Sequence, residues 1–155
     1  MIIKTPDKYF LVKGYSEGDT ELNAFDNALL AAGVGNTNLV RMSSILPPAA
    51  KLIEPIQLPY GALVPIAYAD ESSTVPGTVV CAGVALGVTS NPTLPGVIME
   101  HHMTGSEEEC REIVIKKVES AFKVRGWDLA DMKIAVTSGK VQNIGAAFAG
   151  VVLWT

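Results

Sequence analysis

The spacing of apolar and polar positions changes period several times along the chain. Tyr9 to Val12 is a short apolar run that predicts a strand. After the polar stretch Ser16 to Asp19, apolar residues recur at helical spacing at Leu22, Phe25, Leu29 and Ala32. Asp19 or Thr20 can cap that helix, and Gly33 and Gly35 end it, since glycine accepts the left-handed turn past a helix terminus. Asn36 to Ser43 predicts a strand, with Asn38, Val40 and Met42 on one face and Leu39, Arg41 and Ser43 on the other. Pro47-Pro48 stops it, because proline offers the ladder no donor. Leu63 to Tyr68, Val79 to Val88 and Gly96 to His102 predict further strands. The second of these is nearly continuous in its apolarity, as suits a strand covered on both faces. Ser106 with Glu109 three residues on has capping-box spacing. It opens a helix whose stripe is Cys110, Val114, Val118, Ala121 and Phe122, running up to Gly126. Ile134 to Thr137 and Ala146 to Leu153 predict the closing strands. No repeat, linker or low-complexity tract intervenes, so the pattern predicts one layered α+β domain over residues 1–155.

Composition sharpens this picture. Hydrophobic residues make up 48% of the 155 positions and charged residues 18%, below the usual charged share of about 25%. That balance argues against disorder and leaves much apolar surface to be covered. The net charge of −4 comes without a basic stripe, which argues against nucleic acid as a partner. Met1 to Asp7 lacks the apolar core of a signal peptide. The longest apolar stretch, Thr78 to Val88, is too short and too broken by glycine to span a bilayer. The expectation is a soluble cytoplasmic protein with no membrane partner.

Candidate chemistry is sparse on residue type alone. Cys81 and Cys110 make neither a metal pattern nor a disulfide framework, and both are expected in the core. His101 and His102 are adjacent on a strand, so their rings point to opposite faces, and no metal is expected. Glu107-Glu108-Glu109 suits the positive end of a helix dipole. Gly33-x-Gly35 follows a helix and has no third glycine, so it is not a dinucleotide turn. By themselves Ser43-Ser44 reads as a strand end, Asn38 as a strand-edge residue, Glu100 as a strand-end charge and Asp26 as a solvated helix carboxylate.

Taken together, however, the blocks carry a resemblance. They are Ser16-Glu17-Gly18, Leu22-Asn23-Ala24-Phe25-Asp26, and Gly35-Asn36-x-Asn38-Leu39-x-Arg41-x-Ser43-Ser44-Ile45-x-Pro47-Pro48. Downstream come Pro59-x-Gly61-Ala62-Leu63-Val64-Pro65, Ile98-Met99-Glu100, Arg125-Gly126-Trp127, and Ala146-Ala147-Phe148 to Leu153-Trp154. In order and spacing the chain resembles the pyruvoyl-dependent arginine decarboxylases over nearly its whole length.

The resemblance implies a four-layer αββα sandwich of antiparallel and mixed sheets flanked by helices. It also implies a zymogen that cleaves its own backbone between Ser43 and Ser44, into 1–43 (the β chain) and 44–155 (the α chain). The Ser44 hydroxyl attacks the Ser43 carbonyl, and elimination and hydrolysis then leave a covalent pyruvoyl group at residue 44. Attack builds an oxyanion, and Asn38 is the matching asparagine that could polarise that carbonyl. The pyruvoyl ketone forms a Schiff base with the substrate amine and takes up the electrons left as CO₂ departs. Glu100 occupies the position of the acid that returns the proton; partial desolvation would keep that proton on near neutrality. Asp26 matches the carboxylate that meets the guanidinium fork of arginine, with Gly35 lining the same pocket. The implied product is agmatine, which feeds polyamine synthesis in some relatives, while others consume protons for acid resistance. The implied assembly is a homotrimer of processed αβ protomers, or a dimer of such trimers, with sites between subunits. The alternatives are a pyruvoyl decarboxylase of another amino acid and an unprocessed, non-catalytic homologue.

Overall fold

A computed structural model describes residues 4–155 of the chain, so the reading of Met1 to Ile3 as free of a signal core lies outside the described residues. The elements are β1 (Lys8–Glu17), α1 (Glu21–Ala31), β2 (Asn38–Arg41), β3 (Ile45–Leu46), β4 (Lys51–Leu52) and β5 (Leu63–Ser73). They continue as β6 (Val79–Val88), β7 (Gly96–Thr104), α2 (Glu107–Arg125), β8 (Asp131–Lys140) and β9 (Gly145–Trp154). A mixed sheet runs in the order β2-β5-β9-β1-β4, and an antiparallel sheet runs β3-β7-β6-β8.

Three apolar layers hold these parts together. Ala67, Ala69, Ala147 and Ala149 of the first sheet meet Val80, Ala82, Val84 and Ile98 of the second. Alternation along each strand turns Ile66 and Phe148 outward, to pack under Ala24, Ala28 and Leu29 of α1. On the far side, Cys81, Ala85 and Val136 pack under Cys110, Val114, Val118 and Phe122 of α2. The order is therefore helix, sheet, sheet, helix: the four-layer α+β sandwich. It explains why β6 is apolar on both faces, since one covers β5 and β9 and the other covers α2.

The helix ends follow their chemistry. Thr20 accepts from the Asn23 N–H, and Ser106 accepts from the Glu109 N–H. Gly33 and Gly126 take positive φ just past the two helices. All five residues of the predicted α2 stripe are buried. The α1 face differs from expectation only in part. Leu22 is 75% exposed, whereas Leu29 is buried and Phe25 and Ala32 pack against the same cluster as expected, joined by the fully buried Ala24 and Ala28. Gly14 of β1 lets α1 lie so near that its small residues make the contact; a Cβ there would meet the Ala28 carbonyl oxygen at 2.5 Å.

The predicted strand Asn36 to Ser43 shortens to β2 (Asn38–Arg41), and a second short strand, β3, follows beyond its end. β2 pairs parallel with β5 at one edge of the mixed sheet. The chain then crosses through Met42, Ser43 and Ser44 to β3, which pairs antiparallel with β7 at the edge of the other sheet. Periodicity could not show this, because a crossing preserves local alternation while changing the partner. The pattern also predicts no strand at β4, a two-residue pairing beside Lys8 and Tyr9.

Candidate active site

Ser43 is exposed and Ser44 half-buried at the crossing between the sheets. Each side of the crossing is tied to the sandwich. The Met42 N–H donates to the Ile66 carbonyl at 3.0 Å, in the mixed sheet. The Ile98 N–H donates to the Ser44 carbonyl at 2.7 Å, in the other. Ile45 stands opposite Val97, and the Ile98–Ser44 bond extends that antiparallel register by one residue, to Ser44 opposite Ile98.

Glu100 shares a face of β7 with Ile98 and looks into the space between the sheets. Burial pushes its carboxyl above the usual range, and the charges of Arg41, Lys117 and His102 pull it back. The nearest is Arg41, whose Nη2 lies 3.9 Å from Glu100 Oε1. That guanidinium also donates to the Tyr68 carbonyl at 2.7 Å and lies 4.3 Å from the centre of the Tyr68 ring. Arg41 is thus held at the open β2 edge by a carbonyl and an aromatic face, with Glu100 as its closest carboxylate.

Lys117 reaches the strand from α2. Its Nζ donates to the Glu100 backbone carbonyl at 2.9 Å and to His101 Nδ1 at 3.0 Å. Accepting from an ammonium requires a neutral imidazole with its proton on Nε2. Burial, then the charges of Lys117 and His102, lower the His101 pKa in agreement. His102 turns the other way and meets Glu71 Oε2 of β5 at 2.7 Å. The two rings, 6.5 Å apart, therefore serve different layers.

The remaining sequence candidates are distributed differently. Asp26 is exposed on α1, on the outer side of the mixed sheet. Its neighbour Phe25 packs against Tyr68 and Phe148 at ring distances of 6.4 and 6.2 Å. Asp26 and Glu100 therefore lie on opposite sides of the mixed sheet, linked through Phe25, Tyr68 and Arg41. Asn38 Nδ2 donates to the Gly61 carbonyl at 3.1 Å, so its amide braces the turn before β5. It stands five residues before Ser43, a span of at most about 18 Å. A Cβ on Gly35 would meet the Leu30 side chain and backbone at 2.7 Å, so this glycine permits a close return of the chain onto α1.

Arg41, Tyr68 and Lys117 were given no role in the sequence reading. Arg41 stood inside the most specific block, and a cation two residues before a serine pair was the available signal. Lys117 borders the α2 stripe beside Val114 and Val118, where a long side chain can lean over the helix edge onto β7.

Comparison with known proteins places these features in company. A model of the family described as pyruvoyl-dependent arginine decarboxylase matches residues 8–153. The chain is 42% identical over 151 residues to a protein of Methanocaldococcus jannaschii named pyruvoyl-dependent arginine decarboxylase, covering 97% of this chain and 92% of that one. It is 40% identical over 151 residues to the protein of the same name from Methanococcus vannielii, with the same coverage. For the namesake from Thermococcus sibiricus the identity is 42% over 152 residues, covering 96% of each chain. Among solved structures, a pyruvoyl-dependent histidine decarboxylase at pH 8 superposes with a TM-score of 0.51 at 14% identity. That match covers 64% of this chain and 53% of the other, and it shows a shared fold.

Proposed function

The chain belongs to the pyruvoyl-dependent arginine decarboxylase family, and we propose that it cleaves itself between Ser43 and Ser44 and then converts arginine to agmatine and CO₂. The observation that carries this reading is the crossing itself. The two serines sit between sheets, the second is pinned by the Ile98 N–H, and a carboxyl whose pKa burial raises stands two residues along the same strand.

The Ser44 hydroxyl attacks the Ser43 carbonyl, forming an ester as the peptide C–N bond breaks. Elimination releases the Ser43 carboxylate and leaves dehydroalanine at residue 44, which water converts to a pyruvoyl group and ammonia. A hydroxyl is required at residue 44, and none of these steps needs an outside oxidant or reductant. When formed, the pyruvoyl group supplies a ketone for the substrate α-amine and a conjugated carbonyl that accepts the electrons freed as CO₂ leaves.

The other residues position charge and protons. Glu100 returns a proton to the α-carbon, and its burial keeps that proton on at higher pH than a free carboxyl would. Asp26 receives the guanidinium, with the Gly35 turn beside it. Asp26 and Glu100 lie on opposite sides of the mixed sheet, so the reading includes an assembly in which a neighbouring copy seats its α1 against the open β2 edge. A homotrimer, alone or doubled, provides that arrangement. Asn38 polarises the Ser43 carbonyl across the same boundary, since its own chain holds it at Gly61.

Intact-mass spectrometry tests the processing. The expected result is a fragment ending at Ser43 and a second beginning at a pyruvoyl-blocked residue 44. A single uncut species would overturn the reading. CO₂ release from arginine, compared with ornithine, lysine and histidine, then tests the substrate.

A further inference from the structure

We infer that the backbone N–H of Ile98 is a catalytic donor, aimed at the carbonyl of residue 44 on which negative charge collects during decarboxylation. The inference rests on the processing reading and adds a group to it. The carbonyl cut in that reading belongs to Ser43. The carbonyl of residue 44 survives and becomes conjugated with the new ketone. With the pyruvoyl group in place, this oxygen would share the electron pair freed as CO₂ leaves, until Glu100 returns the proton.

That oxygen already has a donor aimed at it. Ile98 N lies 2.7 Å from Ser44 O, at the short end of the usual range for an amide donor. Neither partner depends on the scissile bond, so the contact outlasts cleavage. Ile45 and Leu46 pair with Val97 and Gly96, and Leu46 is 3% exposed, which holds residue 44 from its C-terminal side. Gly96 makes the approach possible: a Cβ there would meet the Gly87 carbonyl oxygen at 2.9 Å and Leu46 Cβ at 3.1 Å. β7 is flanked by β3 and β6, and Ile98 is fully buried, so the donor sits in a rigid, dry setting. A preorganised N–H in such a place stabilises developing charge without reorganising, and loss of one such donor lowers kcat by about 10²–10³.

Two measurements test the assignment. Ser44-Ile45 is the only Ser-Ile step in the chain. Protein labelled with carbonyl-¹³C serine and ¹⁵N isoleucine therefore gives one directly bonded correlation, from residue 44. In the processed protein a second, weaker correlation across the hydrogen bond should join Ile98 ¹⁵N to the same carbonyl; its absence overturns the inference whatever any variant does. Then the Ile98 amide is replaced by the corresponding ester in the full chain, which keeps the side chain and removes the N–H. The fragments 1–43 and 44–155 should still form, while kcat falls at least about tenfold and KM changes less than about threefold. An ester at Val97, whose N–H points to the opposite side of the strand, should leave kcat within about threefold. Full kcat in a cleaved Ile98 ester sinks the assignment alone. A parent chain that never cleaves sinks the processing reading, and this inference with it.

Discussion

At the scale of single residues, Glu100 is pulled in two directions. Burial holds its proton on, and Arg41, Lys117 and His102 pull it off. An acid works only while protonated, so turnover should fall as pH rises through the Glu100 pKa. Removing a positive neighbour raises that pKa further, so Arg41→Gln should move the falling limb of the pH–kcat profile to higher pH. Lys117→Met should move it the same way. A limb that moves to lower pH in either variant would contradict the assignment. Glu100→Gln should slow decarboxylation sharply while mass spectrometry still finds both fragments. Asp26→Asn should raise KM for arginine by about 10- to 100-fold, the cost of one charged hydrogen bond, with cleavage intact. The serine pair stands in the most specific block and Glu100 in a separate short one, and the fold brings the strand that carries Glu100 against Ser44. Arg41 lay in plain view in the serine block without a role. Lys117 could not be found, because its partner is a backbone carbonyl on another element and side-chain patterns do not record such bonds.

Among the elements, α2 was legible to the residue and α1 only in part. The α2 stripe packs over the small β6 residues Cys81, Gly83, Ala85 and Gly87, so its own large apolar side chains, Val118 and Phe122, fill the space and mark the buried face. On α1 the contact is made by alanines, because Gly14 lets the helix approach β1 closely. Hydrophobicity then places Phe25, Leu29 and Ala32 correctly but not Leu22, which is left exposed while Ala24 and Ala28 are buried. Gly14→Ala should push α1 outward and cost about 1–3 kcal/mol, the usual range for overpacking. Chemical denaturation reads that loss, and an unchanged midpoint would show that α1 is not closely seated. The change of sheet at Ser43-Ser44 was invisible for a different reason. Strand periodicity reports which way side chains point and not which ladder the backbone joins.

For the whole molecule, the apolar surplus is only partly absorbed by the three internal layers. Leu63 stays 70% exposed and Val40 46%, both on the β2–β5 border of the mixed sheet. An open, apolar edge invites another chain. If a neighbouring copy covers it, Leu63→Glu should yield smaller species in sedimentation and lose turnover, while a variant that sediments like the parent would remove this edge from the interface. The sheet crossing has one more consequence, and it concerns the order of events in time. The segment 1–43 supplies β1, whose ten residues pair with β9, and also α1 and β2. A protomer cut at Ser43 therefore consists of two polypeptides woven through one sheet, neither of which holds a complete core. Under the proposed processing, its fold would be formed as one chain and kept as two. A Ser44→Ala chain, unable to cut, should recover from denaturant with a first-order rate for each protomer. The mature protein should recover at a rate that scales with concentration, so its folding depends on its history as well as on its sequence.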